Sequence, residues 1–209
     1  MEIKDTYTTI AKATEEILFK EKSSKFFGYA YPIQSEEEVK PIIEQLRKLH
    51  PHAVHYCYAY QIGTEKISYR ANDDGEPSNT AGAPIYGQIQ SFGVTNVLLV
   101  VVRIFGGIKL GVGGLISAYK TTAQLVLEEA EIIEKTIDIS FLISFDYKNI
   151  NKVMRVIKEK KLDIVTQTME LEEDSGIALG KIEIKTRKKN AEVIFDIFDN
   201  LFEIEIKRL

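Results

Sequence analysis

The chain has 209 residues, 44% hydrophobic and 28% charged, with a formal net charge of −4. That length holds one large domain or two modest ones, and the mild negative balance excludes wholesale wrapping of nucleic acid while leaving room for a local basic patch. Cys57 is the sole cysteine, which excludes an internal disulfide and a cysteine-based zinc site and fits a reducing cytoplasm.

The opening segment lacks the basic and apolar regions of a secretory signal, so the expectation is a cytoplasmic protein without membrane contact. Residues 13–33 read as two strands around the turn Glu21-Lys22-Ser23-Ser24. Ser35-Glu36-Glu37-Glu38 has capping-box spacing, and the helix after it turns Val39, Ile42, Ile43, Leu46 and Leu49 inward. Pro41 puts the helix start near Val39, because proline fits a first turn and not an interior. Strands are expected at 54–62 and 67–71. His55 falls mid-strand on the face of Cys57. Residues two apart on a strand are separated by about 7 Å, so this reads as a partly buried histidine beside a core cysteine rather than a nucleophile pair.

Asp73-Asp74-Gly75-Glu76-Pro77 is a tight acidic loop. Two readings of Asp73, Asp74 and Glu76 stand side by side: oxygen ligands for Mg²⁺ or Ca²⁺, or ion pairs with Arg103 or Lys109 across a cleft. Thr80 either caps the helix expected from Pro84 to Phe92 or touches a ligand, and Gly93 stops that helix.

Residues 96–105 hold the most apolar run, a buried strand too short to span a bilayer. It leads through a loop into a helix expected from Gly113 to about Ala130, with Gly106, Gly107, Gly111, Gly113 and Gly114 at the junction. Bare backbone lets a ligand or another chain approach the peptide N–H groups, and a helix N-terminus favours negative charge. No Lys-Ser/Thr completes a Walker A loop, and Ile116 stands where a dinucleotide fingerprint needs glycine. Two readings remain: an anion-binding turn in which Arg103 and Lys109 hold a phosphate or carboxylate, or close packing of strand and helix. With no catalytic motif and no cofactor fingerprint, the chain reads as a binding protein before an enzyme, and no cofactor is expected.

The composition changes near 132–138, which divides the chain into domains 1–135 and 136–209. In the second, Ile137 to Phe145 alternate as a half-buried strand, and Ile150, Val153, Met154 and Ile157 follow at helical spacing. Strands at 162–171 and 177–187 flank Glu172-Glu173-Asp174-Ser175-Gly176; Ile194, Ile197, Phe198 and Leu201 mark a helix, and Phe202, Ile204 and Ile206 a last strand. The order β-α-β-β-α-β is the ferredoxin-like split motif. Lys148, Lys152 and Arg155 share one helix face, and Arg187-Lys188-Lys189 opens the other helix. They suit a nucleic-acid backbone, and equally a plain solvated face.

The blocks Asp73–Pro77, Thr80-Ala81-Gly82-Ala83-Pro84-Ile85 and Val100–Gly111, with Ser24-Lys25-Phe26 and His55–Tyr60 upstream, resemble the IMPACT family, and within it the bacterial YigZ-like two-domain members. Ile104 departs from the aromatic residue usual after the arginine. The resemblance implies an α+β protein: a first domain like a domain of a small-subunit ribosomal protein, then a ferredoxin-like domain like one of elongation factor G. It implies kinship with eukaryotic regulators of translation that work by binding proteins. The expected function is therefore a translation-associated binding protein that meets RNA, the ribosome or an acidic partner through a glycine-loop cleft. The alternatives are a protein-interaction module without nucleic-acid contact, and an enzyme on a small phosphorylated or peptide-like substrate.

Overall fold

The computed structural model describes residues 4–171 and 178–209; the expected connection Glu172–Gly176 lies outside the described residues. Packing divides the chain into two compact units, 7–135 and 136–209, with Asp5 and Thr6 belonging to the second.

The first unit holds β2 (Ile17–Glu21), β3 (Ser24–Pro32), α1 (Val39–Leu49), β4 (His55–Ile62), β5 (Ser68–Asn72), α2 (Gly82–Ser91), β6 (Val97–Ile104) and α3 (Gly111–Glu129). Its sheet runs β2-β3-β6-β4-β5, with β6 antiparallel to both neighbours. The unbroken apolar run of β6 follows from cover on both faces. Val97, Leu99 and Val101 share a core with Ile85 and Ile89 of α2 and Leu115 and Tyr119 of α3. Leu98, Val100 and Val102 share the other core with Val39 and Leu46 of α1. The period of 2 thus alternates between two buried layers.

Local chemistry fixes the ends. Lys22 and Ser23 both take positive φ, which gives the two-residue turn joining β2 to β3 the backbone twist that antiparallel strands prefer. The capping box at Ser35 and Glu38 is present, and a short 3₁₀ turn precedes α1, so Pro41 falls in its first turn. Gly93 (φ 63°) follows α2. Two helices start two residues earlier than the sequence expectation, α2 at Gly82 and α3 at Gly111, and His55 opens β4 instead of lying mid-strand. A two-stranded ribbon, β1 (Thr6–Ile10) with β7 (Ile132–Thr136), carries no legible alternation, because β7 is largely exposed on both sides.

The second unit holds β8 (Asp138–Asp146), α4 (Ile150–Lys160), β9 (Asp163–Leu171), β10 (Ala178–Arg187), α5 (Ala191–Asp199) and β11 (Ile204–Arg208). The order is β11-β8-β10-β9, all antiparallel. This is the ferredoxin-like arrangement, and with the first unit it makes the chain an α+β protein. Phe141, Ile143 and Phe145 meet Val153 and Ile157 of α4 and Ile194 and Phe198 of α5 in one core. Phe202, expected to begin the last strand, instead lies exposed in the turn before it.

Candidate binding cleft

Arg103 ends the buried stretch of β6 on the face covered by α2 and α3. Its register partners are Phe26 on β3 and His55 on β4. Its guanidinium carbon stands 5.6 Å from the Phe26 ring centre and 5.4 Å from that of Phe105. The side chain is buried, and Nη1 donates to Glu76 Oε1 at 2.6 Å. The Tyr119 hydroxyl of α3 donates to the same oxygen at 2.8 Å. His55 Nε2 lies 3.9 Å from it.

The other nitrogen of His55 fixes its tautomer. Nδ1 is 2.7 Å from the Asp74 carbonyl oxygen, which can only accept, so Nδ1 carries a proton. In the neutral ring Nε2 then presents its lone pair on the Glu76 side. Cys57 is fully buried; its Sγ donates to the Asp73 carbonyl at 3.0 Å and lies 3.3 Å from the Tyr119 hydroxyl. Burial pushes the Cys57 thiol and the Tyr119 phenol far above their usual ranges, so Cys57 is the expected core cysteine and no thiolate.

The acidic loop is held by its own carboxylates. Asp73 Oδ1 accepts from the backbone N–H groups of Ala81 (2.9 Å) and Gly82 (2.8 Å), and Oδ2 from that of Asn79 (2.8 Å). Asp73 thereby caps α2 from a distance in sequence. Thr80 is buried and turns its hydroxyl to the Pro77 carbonyl instead (2.7 Å). Asp74 accepts from the Tyr56 N–H at 2.7 Å and faces Arg47 at 3.3 Å. Of the two readings of Asp73, Asp74 and Glu76, the geometry displays the ion pair with Arg103. The three carboxylates take separate partners, and no group of three metal-ligating side chains forms among the described residues.

The glycine loop divides between the two readings made of it. A Cβ on Gly106 would meet the Ser23 backbone oxygen at 2.0 Å, so here glycine lets the loop press on the β2–β3 turn. Its N–H lies 3.3 Å from Ser24 Oγ. Gly114 is also packed, with Leu110 Cβ 3.1 Å from its own Cβ position. Gly107 and Gly111 take positive φ (87° and 74°). At Gly113, in the first turn of α3, the space a side chain would fill is open and no positive φ requires glycine. Lys109 is exposed and has no carboxylate partner among the described residues.

Between these loops lies a cleft of about 550 Å³, lined by Val54, His55, Glu76, Pro77, Arg103, Phe105, Lys109, Leu110, Gly111, Val112 and Leu115. Its lining is mainly apolar with a few polar groups, the usual composition of a ligand site. The sequence reading placed Arg103, Glu76, Lys109 and Gly111 here. His55 is partly buried, as expected, and also lines the cleft, and Tyr119, buried in the core and not singled out by the sequence, holds Glu76. A phenol on an otherwise apolar helix face was the available signal, because a buried tyrosine hydroxyl needs a partner.

Three of the six basic residues read as possible nucleic-acid contacts in the second unit face carboxylates. Lys148 is 3.1 Å from Asp146 and 3.2 Å from Glu203, Arg155 is 3.9 Å from Glu159, and Arg187 is 2.5 Å from Asp5. Lys152 donates to the Phe202 carbonyl at 3.3 Å. Lys188 is half-buried, and its N–H donates to the Ile137 carbonyl; Lys189 is exposed. Among the described residues no helix is long and apolar enough to cross a membrane.

The chain compares with known proteins as follows. The Impact N-terminal domain family matches residues 22–127, the span that builds the cleft. The IMPACT family member YvyE of Bacillus subtilis is 35% identical over 156 residues, 75% of this chain and 71% of that protein. The IMPACT family member YigZ of Escherichia coli is 34% identical over 134 residues, 63% of this chain and 66% of that protein. The crystal structure of a hypothetical protein superposes over 99% of this chain and 98% of its own, with a TM-score of 0.73 and 22% identity, which shows a shared fold. Blocks, fold and extended identity agree, and the chain belongs to the IMPACT family.

Proposed function

We propose that this protein is a regulatory binding protein of translation whose cleft receives an acidic group of a partner protein. The setting in translation rests on membership of the IMPACT family and on the regulators that its sequence blocks resemble. The observation that carries the binding reading is Lys109, a cation without a carboxylate partner among the described residues, beside the exposed N-terminus of α3 and lining an apolar cleft. An incoming carboxylate or phosphate gains the Lys109 charge and the α3 amide groups, and apolar atoms behind it gain burial against Phe105, Val112 and Leu115. Arg103 and Glu76 neutralise each other and form the rigid back of the site. His55 Nε2 adds one further polar atom at the cleft wall.

A protein partner is favoured over RNA because Lys148, Arg155 and Arg187 already face carboxylates, so a second basic track to follow a phosphate backbone is weak. The test is affinity capture of the full chain and of its Lys109→Glu variant from cell extract, with and without ribonuclease. Translation components retained after nuclease treatment and lost from the variant are expected. Components that vanish on nuclease treatment would replace this reading with RNA binding. Capture unchanged by Lys109→Glu would remove the cleft from the function.

A further inference from the structure

From Pro77 to Leu127 the chain contains no aspartate or glutamate, although it has 31 acidic residues in all. The basic residues of that stretch are Arg103, Lys109 and Lys120. The stretch includes all of α2, the glycine loop and nearly all of α3, and the residues lining the groove between α2 and α3 include no carboxylate; Glu128, which accepts from Gln124 at 2.8 Å, stands at the end of that groove. Arg103 is buried and paired, which leaves Lys109 and Lys120 as the exposed charges of that stretch.

Two apolar side chains stand on the outer side of α3, where a monomer gains nothing from them. Val112 is 59% exposed and Ile116 37%, four residues apart on one helix face, and Lys120 continues the same line. Ile116 and Lys120 also line a groove of about 540 Å³ between α3 and α2 whose walls are mixed, apolar at Pro84 and Phe92 and polar at Gln88, Ser91 and Gln124. Gly87 has open space where a side chain would stand, so the groove is unobstructed there. From Val112 to Gln124 the helix rises about 18 Å, the length of a three-turn helix laid beside it.

We infer that the α2–α3 face is a docking surface for an acidic amphipathic helix of a partner protein. Its apolar residues pack on Val112, Ile116 and the groove, and its carboxylates meet Lys109 and Lys120. A groove lined by a lysine and by no carboxylate favours an acidic segment over a basic one along the stretch that Lys120 covers. The spaced apolar contacts Val112 and Ile116 suit the repeat of a helix lying in a groove. A nucleic-acid backbone would match the charge and leave the apolar stripe uncovered.

The test places a photo-crosslinking amino acid at Ile116, at Gln124 and, as a reference surface, at Val193 of α5, each in the full chain and irradiated in cell extract. Crosslinked segments are then sequenced by mass spectrometry. The expected products at Ile116 and Gln124 are protein segments of net negative charge with apolar residues at helical spacing, at least tenfold above Val193. Lys120→Glu is expected to reduce their yield tenfold or more. Products that are nucleic acid, basic or non-helical segments, or no more abundant than at Val193, overturn the proposal, as does a yield unchanged by Lys120→Glu. Thermal unfolding of each labelled chain matching the parent excludes misfolding as the cause. Lys109 serves both readings, so Lys120→Glu and the Ile116 and Gln124 crosslinks decide the groove: a null result there with a lasting Lys109→Glu effect sinks the groove and leaves the cleft.

Discussion

The acidic loop at Asp73–Glu76 and the glycine loop at Gly106–Gly111 face the same cleft, and they handle charge in opposite ways. Asp73 caps α2, Asp74 ties down β4, and Glu76 neutralises Arg103. The glycine loop ends in Lys109 and the first turn of α3, which no carboxylate of the described residues meets. The acidic loop therefore maintains the fold, whereas the glycine loop packs at Gly106 and Gly114 and leaves only its Lys109 end exposed, the part proposed to meet another molecule. The more conspicuous charges are the structural ones, and the single lysine is the better functional candidate.

Removing the structural charges should cost most. In Glu76→Gln the buried Arg103 guanidinium loses its counter-ion, and a broken buried pair costs about 3–5 kcal/mol. Urea unfolding of the full chain should show that loss in the midpoint of the first unit. A loss below about 1 kcal/mol would mean that the acidic loop is not the structural side of the cleft. Gly106→Ala drives a Cβ into the Ser23 carbonyl oxygen, and overpacking of that kind costs about 1–3 kcal/mol. Asp73→Ala removes the acceptor for three backbone N–H groups at the start of α2, worth about 1–2 kcal/mol on the scale of strong caps. Amide exchange in the first turn of α2 should rise in that variant and stay unchanged in Lys109→Glu.

How much of this is legible in the chain depends on range. The double-sided burial of β6 is visible as an apolar run, and the second unit as clean periods of 2 and 3.6, because each needs only local neighbours. The parity of Arg103 with Val97, Leu99 and Val101 also states which face it joins. Its choice of Glu76 over solvent does not show locally, since it depends on β4 registering His55 opposite Arg103 and on Tyr119 arriving from α3. The β1–β7 ribbon joins segments more than a hundred residues apart, and neither has a buried face periodic enough to declare itself. Asp73 as the cap of α2 is hidden for the same reason: the capping residue lies eight or nine positions before the N–H groups it satisfies.

Gly113 separates the two loops most finely. Its Cβ position is open and no positive φ demands glycine, so within the isolated fold Gly113→Ala should stabilise α3 by about 0.5–1 kcal/mol, through lower backbone entropy in the unfolded chain. If the glycine loop served the fold as the acidic loop does, that gain would come without any loss of binding. If a partner's atoms approach the first turn of α3, the added methyl group stands in their way. The expected outcome is a higher unfolding midpoint together with weaker capture of the partner that Lys109→Glu also loses. A variant that is more stable and captures its partner undiminished would show that the first turn of α3 is not approached, and would confine the contact to Lys109 and the apolar wall.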